Sequence, residues 1–575
     1  MSYHSLLLRL LVCLPPPAVP QTEDSTSAVS QLYSRVQGTV TAARAPVQGA
    51  RMTVFEPSLA FFRETRTAAD GTYRFERIPP GNYLLAAAAI RHDYEQTPLK
   101  VSGWDLRRDF TLEPESHPGA WRVIGTTDPE SFDATDVAIL TPSGHVFFCH
   151  DTVDPIDFDP VTGGKTFPSG SSAEQGCMSA SLLDDGRILF AGGQDGSDPG
   201  DFRNAIPWVK TYEPATDRWT WLADLELDEG RWYPGLARMA DGSFLVMGGG
   251  TAPDAQRTPT CERFQLASET WTFTGSMVNP CEFPPAALLY TGEVLATWSP
   301  PQLYNVQTGT WRATGDFVQP DRGWPGHSDH SLVVLGDGRA LAIGIRDAGH
   351  GSAAMGEIFD PLSETWSVTK SPELVRLQAE VVQLPDGRIL VAGGETKVAN
   401  PPVEDVLGIV KWCDVYDLVT DSWRRVADLL WFREYHAVTL LVPDGRVVTT
   451  GGTLIKFQYG PTSNDIEAFE PPYLFRGIRP RIKSLSSTDL SRGGAITLEI
   501  FPSTRITHLV LMGMGAPTHW VDGGIPRRIV LPVEQAGTSV TAVLPSDPDV
   551  VMLGHYLLFA MVDDIPSKGK IVRVR

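Results

Sequence analysis

Seven times between residues 142 and 452 the chain repeats one phrase, a glycine-bearing turn followed by a short apolar strand. The copies read PSGHVFFCHD, DDGRILFAGG, ADGSFLVMGG, YTGEVLATWS, GDGRALAIGI, PDGRILVAGG and PDGRVVTTGG. Their turn glycines are Gly144, Gly186, Gly242, Gly292, Gly338, Gly387 and Gly445, spaced by 42, 56, 50, 46, 49 and 58 residues. A unit of this length, built on one hairpin, cannot bury both faces of its own sheet, so neighbouring copies must cover one another. Radial stacking of four-stranded sheets about an axis satisfies that demand and leaves only short, protected edges. The repeat therefore predicts a seven-bladed β-propeller.

A second phrase recurs in phase with the first: an aromatic residue, a turn, then tryptophan. It appears as TYEPATDRW, RFQLASETW, LYNVQTGTW, IFDPLSETW and VYDLVTDSW, ending at Trp219, Trp271, Trp311, Trp366 and Trp423. These aromatics are expected to pack between neighbouring blades. Together the two phrases are the signature of kelch repeats, and they place the propeller over residues 115–475.

The flanks are also strand-like. Residues 30–114 alternate apolar and polar with turns at Asp70-Gly71 and Pro79-Pro80-Gly81, the pattern of a small antiparallel sandwich. The string DGTYRFERIPPGNYLLAA resembles carboxypeptidase regulatory-like (transthyretin-like) domains, which implies a stabilising or surface-binding module and an association with cell surfaces or polysaccharide. After AFEPPYLF the repeat stops, and residues 476–575 form another strand-rich block closing on GHYLLFAMVDDIPSKGKIVRVR. That closing string resembles the immunoglobulin-like early-set domain of the galactose oxidase family. The expected fold is all-β, a kelch propeller between two β-sandwiches.

Charge excludes some functions. Lys and Arg total 48 against 69 for Asp and Glu, a formal charge of −21, so a phosphate-tracking nucleic-acid surface is not expected. No 18-residue apolar run exists to cross a membrane as a helix. Residues 1–29 contain an apolar stretch, Leu6 to Val19, read as a degenerate export signal or a disordered tail. Export would place the protein outside or on the cell. There Cys149, Cys261, Cys281 and Cys413 become candidates for disulfides, with Cys261–Cys281 the first pairing to check.

Five positions match the metal site of the copper radical oxidases, the galactose oxidase and glyoxal oxidase family, in that family's chain order. Cys177 stands in QGCMSASLL, Tyr233 in GRWYPGLAR, Tyr435 and His436 in FREYHAVTLL, and His519 in APTHWVDGG. Cys177, Tyr233 and His436 each lie nine residues before a turn glycine, so they occupy equivalent depths in their blades. Two imidazoles, two phenol oxygens and an open position suit a tetragonal Cu(II) ion. No C-x-x-C pair suggests a structural zinc site.

The resemblance implies a Cys177–Tyr233 thioether whose ring stores one oxidising equivalent. Copper would be held by Tyr233, Tyr435, His436 and His519, with Tyr435 taking the substrate's hydroxyl proton and O2 yielding H2O2. The Arg231-Trp232-Tyr233 and Pro471-Pro472-Tyr473 strings look more like glyoxal oxidases than galactose oxidase, so small aldehydes or primary alcohols are the expected substrates. Trp232 is not assigned as the aromatic shielding the radical, because successive strand residues face opposite sides. His327 and His330 are read as belonging to a solvated loop.

The alternative is a non-catalytic propeller binding surface glycans or proteins over a fossil site. A fossil should have lost some of the five residues, and none is missing. A hydrolase on the same scaffold lacks a Ser-His-acid set or a carboxylate pair that the pattern would bring to the axis.

Overall fold

The computed structural model describes residues 33–127, 137–150, 153–169, 175–195, 204–252, 256–320, 322–324, 327–345, 354–396, 408–452 and 464–575. The expected export segment lies outside them. Among the described residues the regular structure is all strand apart from one 3-10 turn at Pro472–Phe475.

The repeats form seven antiparallel sheets among the described residues, which we number as blades I to VII; six have four strands, and the sheet of blade I has six. Their innermost strands are Val137–Leu140, Ser179–Leu182, Gly235–Arg238, Ala286–Leu288, Ser331–Val334, Glu380–Gln383 and Ala437–Leu441. Each lies against the next, and the innermost strand of blade VII lies against that of blade I, closing a ring. Blade VII is finished by a strand from far upstream: Ala120–Thr126 pairs antiparallel with Asp465–Glu470.

The Tyr/Phe–Trp phrase acts at two levels. Tyr212–Trp219, Phe264–Trp271, Tyr304–Trp311, Phe359–Trp366 and Tyr416–Trp423 are direct cross-strand partners. Their ring centroids lie 4.7–5.2 Å apart, within the favourable range for aromatic pairs. The indoles also reach the neighbouring blade. Trp366 Nε1 donates to Gly315 O at 3.0 Å and Trp423 Nε1 to Lys370 O at 2.6 Å. The expected interblade packing holds.

The chain divides into two compact units. The first runs up to Ala87 and includes Glu95–Leu112. It is a two-sheet sandwich, with Ser34–Ala42 and Thr72–Ile78 in one sheet and Phe62–Arg66, Arg51–Phe55, Gly81–Ala88 and Glu95–Val101 in the other. Val36, Val40, Met52, Val54, Leu85 and Leu99 are buried within it. The segment Ala88–Tyr94 groups with the second unit. There the Arg91 guanidinium reaches Asp417 at 2.8 Å, Asp564 at 3.2 Å and Asp386 at 3.4 Å.

The second unit also contains the C-terminal sandwich. One of its sheets holds Arg481–Leu485, Ala495–Phe501, Ser539–Val543 and Val533–Ala536. The other is centred on Gly554–Val562 and His508–Gly513. None of the described cysteines is in a disulfide, which corrects the expectation for Cys149, Cys261, Cys281 and Cys413. Cys261 and Cys281 are fully buried among apolar side chains, and burial lifts the Cys261 thiol to about 12.

Candidate metal centre

At the entrance to the innermost strand, several blades force a non-glycine residue into the left-handed region. Cys177, Tyr233, Phe283, Gln378 and His436 have φ of +50°, +53°, +46°, +52° and +65°. All five precede a turn glycine by nine residues, in blades II, III, IV, VI and VII. Each such residue costs roughly 1–2 kcal/mol, so five at one level must be held from outside.

The holding elements are buried ion pairs. Arg231–Glu262, Arg322–Glu357 and Arg376–Asp414 meet at 2.8 Å, and Arg433–Glu467 at 2.6 Å. The same guanidiniums bind backbone carbonyls: Arg231 donates to Gly248 O at 3.0 Å and Arg433 to Gly451 O at 2.6 Å. In blades III and VII, Arg thus staples the segment just before the entry residue to the Gly-Gly turn of its own blade. Sequence reading missed these pairs. The available signal was an acid in otherwise apolar third strands: Glu262 in CERFQ, Glu357 in GEIFD, Asp414 in CDVYD and Glu467 in DIEAFE.

The entry residues converge at the axis. Cys177 Sγ and a ring nitrogen of each of His436 and His519 lie within 4.8 Å of one another. The Tyr233 hydroxyl is hydrogen-bonded to the Tyr435 hydroxyl, and its amide donates to Cys177 O at 3.3 Å. His436 and His519 rings are 4.5 Å apart and nearly perpendicular at 81°; Tyr435 lies 5.2 Å from His519 and Tyr233 5.4 Å. Cys177, Tyr233, His436 and His519 are buried, and Tyr435 is partly exposed.

Burial first, then Cys177 and Tyr435, push the Tyr233 hydroxyl well above the ordinary phenol range. A buried phenol becomes a phenolate only beside a compensating positive charge. Two imidazoles and two phenols at this point would supply such a cation with ligands.

His519 arrives from another direction. Pro517–Thr518 and Val521–Asp522 form a hairpin with His519 and Trp520 at its tip, and Thr518 pairs with Val137 of blade I. The C-terminal sandwich thereby extends a propeller sheet with its own strand. His519 has φ +53°, and its Nδ1 lies 3.0 Å from Thr518 Oγ1, leaving Nε2 for the axis. This hairpin lies within residues 479–574, which match the family model "Galactose oxidase-like, Early set domain".

The chain carries a galactose oxidase-like early set domain. Residues 35–113 match the carboxypeptidase regulatory-like domain. The chain is 27% identical over 453 residues to galactose oxidase of Gibberella zeae, covering 72% of this chain and 63% of that protein. It is 22% identical over 474 residues to an aldehyde oxidase of Arabidopsis thaliana, 72% of this chain and 74% of that one. A solved structure described as a novel fungal alcohol oxidase in complex with copper superimposes with a TM-score of 0.66 at 21% identity, covering 80% of this chain and all of the other. The early set domain and the propeller thus share their architecture with copper oxidases.

Two expectations need correction. Trp232 does stack on Tyr233, with centroids 4.3 Å apart and planes at 20°. The alternation rule fails because Tyr233 is not extended; its positive φ swings the ring to the side its neighbour occupies. His330 is not on a solvated loop: it is buried, with Nε2 2.9 Å from Thr297 Oγ1 and Nδ1 3.2 Å from Arg322 O. Burial and Arg322 lower its pKa to about 3, and it is outside the axial cluster. The side chain of His327 lies outside the described residues.

Proposed function

We propose that the chain is a copper radical oxidase that converts small primary alcohols to aldehydes, or aldehydes to acids, reducing O2 to H2O2. The observation that carries this reading is the convergence of Cys177, Tyr233, Tyr435, His436 and His519 from three blades and the early set hairpin onto one axial point. Tyr233, Tyr435, His436 and His519 would hold copper, which when bound supplies one-electron redox chemistry and polarises the substrate oxygen.

The chain's own residues do the rest. Cys177 and Tyr233 would join as a thioether, the thiol hydrogen and one ring hydrogen leaving with two electrons to O2, which becomes H2O2. The sulfur substituent lowers the oxidation potential of the ring, which then stores the second electron of the reaction. Trp232, stacked on one face, and Phe283, with its ring centred 4.1 Å from Tyr233, shield that ring from water. Tyr435, the partly exposed member, is the group that takes the substrate's hydroxyl proton.

Phe283, Trp520 and Val521 complete an apolar wall with Cys177 and Tyr233. That lining supports small aldehydes and simple alcohols over a polyhydroxylated sugar. The N-terminal sandwich exposes 77% of Trp104, an indole suited to stacking on a polysaccharide at the cell surface. We retain export as part of this reading.

A peroxide-coupled assay of copper-loaded protein against glyoxal, methylglyoxal, glycerol, simple alcohols and galactose tests the proposal. Turnover should favour the small aldehydes or alcohols. A preference for galactose would overturn the substrate class, and zinc uptake with no copper at the axis would overturn the oxidase.

A further inference from the structure

The proposed centre has one ligand that no blade contributes. His519 stands at the tip of a hairpin reaching in from the early set domain, and one flank of that hairpin is not packed. A cavity of about 60 Å3 lies there, bounded by Ser331, Glu380 and Thr439 of blades V to VII and by His519, Trp520 and Asp522 of the hairpin. Side-chain packing on that flank therefore cannot fix where the imidazole sits.

The neck of the hairpin carries the restraint instead. Asp522 Oδ1 accepts the backbone N–H of Ala516 and that of Gly524, both at 2.8 Å. These two amides lie on opposite sides of the turn, so one oxygen ties the incoming strand to the outgoing one. Gly523 N–H adds a bond to Ala516 O at 3.1 Å. There is no slack at this point. A Cβ on Gly524 would stand 2.4 Å from Met514 O and 2.9 Å from Asp522 Oδ1, and one on Gly523 would stand 2.2 Å from Ala180 O of blade II.

We propose that Asp522 is the positioning residue of the centre, clamping the hairpin neck so that His519 completes the metal site. The inference rests on the copper reading above. Asp522 touches neither metal nor substrate; it acts through His519. What it supplies is an acceptor oxygen at the right distance from two amides, so Asn should replace it and Ala should not.

Three proteins decide the matter: the parent, Asp522→Asn and Asp522→Ala. Thermal melting of each metal-free protein checks the fold. Should Asp522→Ala not fold, Asp522→Ser, whose oxygen is too short to span both amides, takes its place. Hydrogen exchange of residues 514–526, measured without metal, should accelerate in Asp522→Ala and stay near the parent in Asp522→Asn. Cu(II) affinity by competition should fall about 10–100-fold in Asp522→Ala, the usual scale for losing a group that orients a ligand. Its copper electron-spin-resonance lines should broaden, and Asp522→Asn should restore both properties.

Unchanged exchange and affinity in Asp522→Ala would overturn the clamp. So would an Asp522→Asn protein as impaired as Asp522→Ala, because charge and not the shared acceptor would then be the essential feature. If the parent takes up no copper, the oxidase reading falls, and the metal-free exchange comparison still decides whether Asp522 clamps the hairpin.

Discussion

Blades III and VI enter their innermost strands in the same way. Tyr233 and Gln378 sit nine residues before a turn glycine, at φ +53° and +52°. Each follows, two residues on, a buried arginine paired at 2.8 Å with an acid on the third strand of its own blade, Arg231 with Glu262 and Arg376 with Asp414. Yet Tyr233 belongs to the axial cluster, while Gln378 turns its amide to Asp329 Oδ1 at 3.1 Å. The strained backbone is thus a property of the repeat. Chemistry depends on which side chain the repeat presents. A positive φ alone, even at the mouth of the axis, does not identify a reacting group.

The largest effects should fall on the side chains that surround Tyr233 in the axial cluster and have no counterpart around Gln378. Cys177→Ser should bind copper and still lose turnover by ~10³-fold or more, the scale seen when one member of a unit that acts together is removed. In the parent, aerobic copper loading should lower the intact mass by about two mass units and link the Cys177 and Tyr233 peptides irreversibly, with Tyr233 as the modified cofactor residue. A freely alkylatable Cys177 after loading would reduce blade III to the level of blade VI. His436→Ala and His519→Ala should each fail to retain copper through gel filtration.

Next come the staples. Arg231→Met and Arg376→Met each strand a buried acid and should cost about 3–5 kcal/mol in denaturant unfolding. Similar losses of stability with loss of crosslinking only in Arg231→Met would show that the two blades share scaffolding and differ in chemistry. Equal loss of crosslinking would show that the ring transmits strain between blades.

Smaller effects should follow from the aromatic shield. Trp232→Phe keeps a ring over Tyr233 and should shorten the life of the oxidised enzyme about tenfold at most, followed as decay of the radical's absorption. The smallest effect is expected at Gln378. Gln378→Ala should leave copper affinity within about threefold of the parent, by the same competition titration, because it holds no ligand in place.

Much of this was legible beforehand, for reasons that differ by feature. The ring was readable because glycine turns and Tyr/Phe–Trp pairs recur with a period, and a period survives any local error. Three of the axial residues, Cys177, Tyr233 and His436, stood out by their common offset, while Tyr435 and His519 were singled out only by the family resemblance. What sequence could not give was conformation inside one residue. Tyr233 sits in a string that reads as strand, and only its positive φ brings Trp232 onto its face. The Arg–acid staples were hidden because the arginines lie in loops and their acids in strands some thirty to forty residues away.

The strand that finishes blade VII also fixes an order of events during synthesis. Ala120–Thr126 must wait for Asp465–Glu470, more than 300 residues later, before the ring can shut. Contacts at such separation form slowly, because their loop entropy is lost before they return any stabilisation. His519 emerges from the ribosome later still. A nascent chain therefore displays Cys177 and Tyr233 long before it can offer both histidines, and the cluster becomes complete only after the ring's last strand has been made. A fragment ending before Asp465 would leave the ring open, and one ending between Glu470 and His519 could shut the ring yet lack the fifth member of the axial cluster.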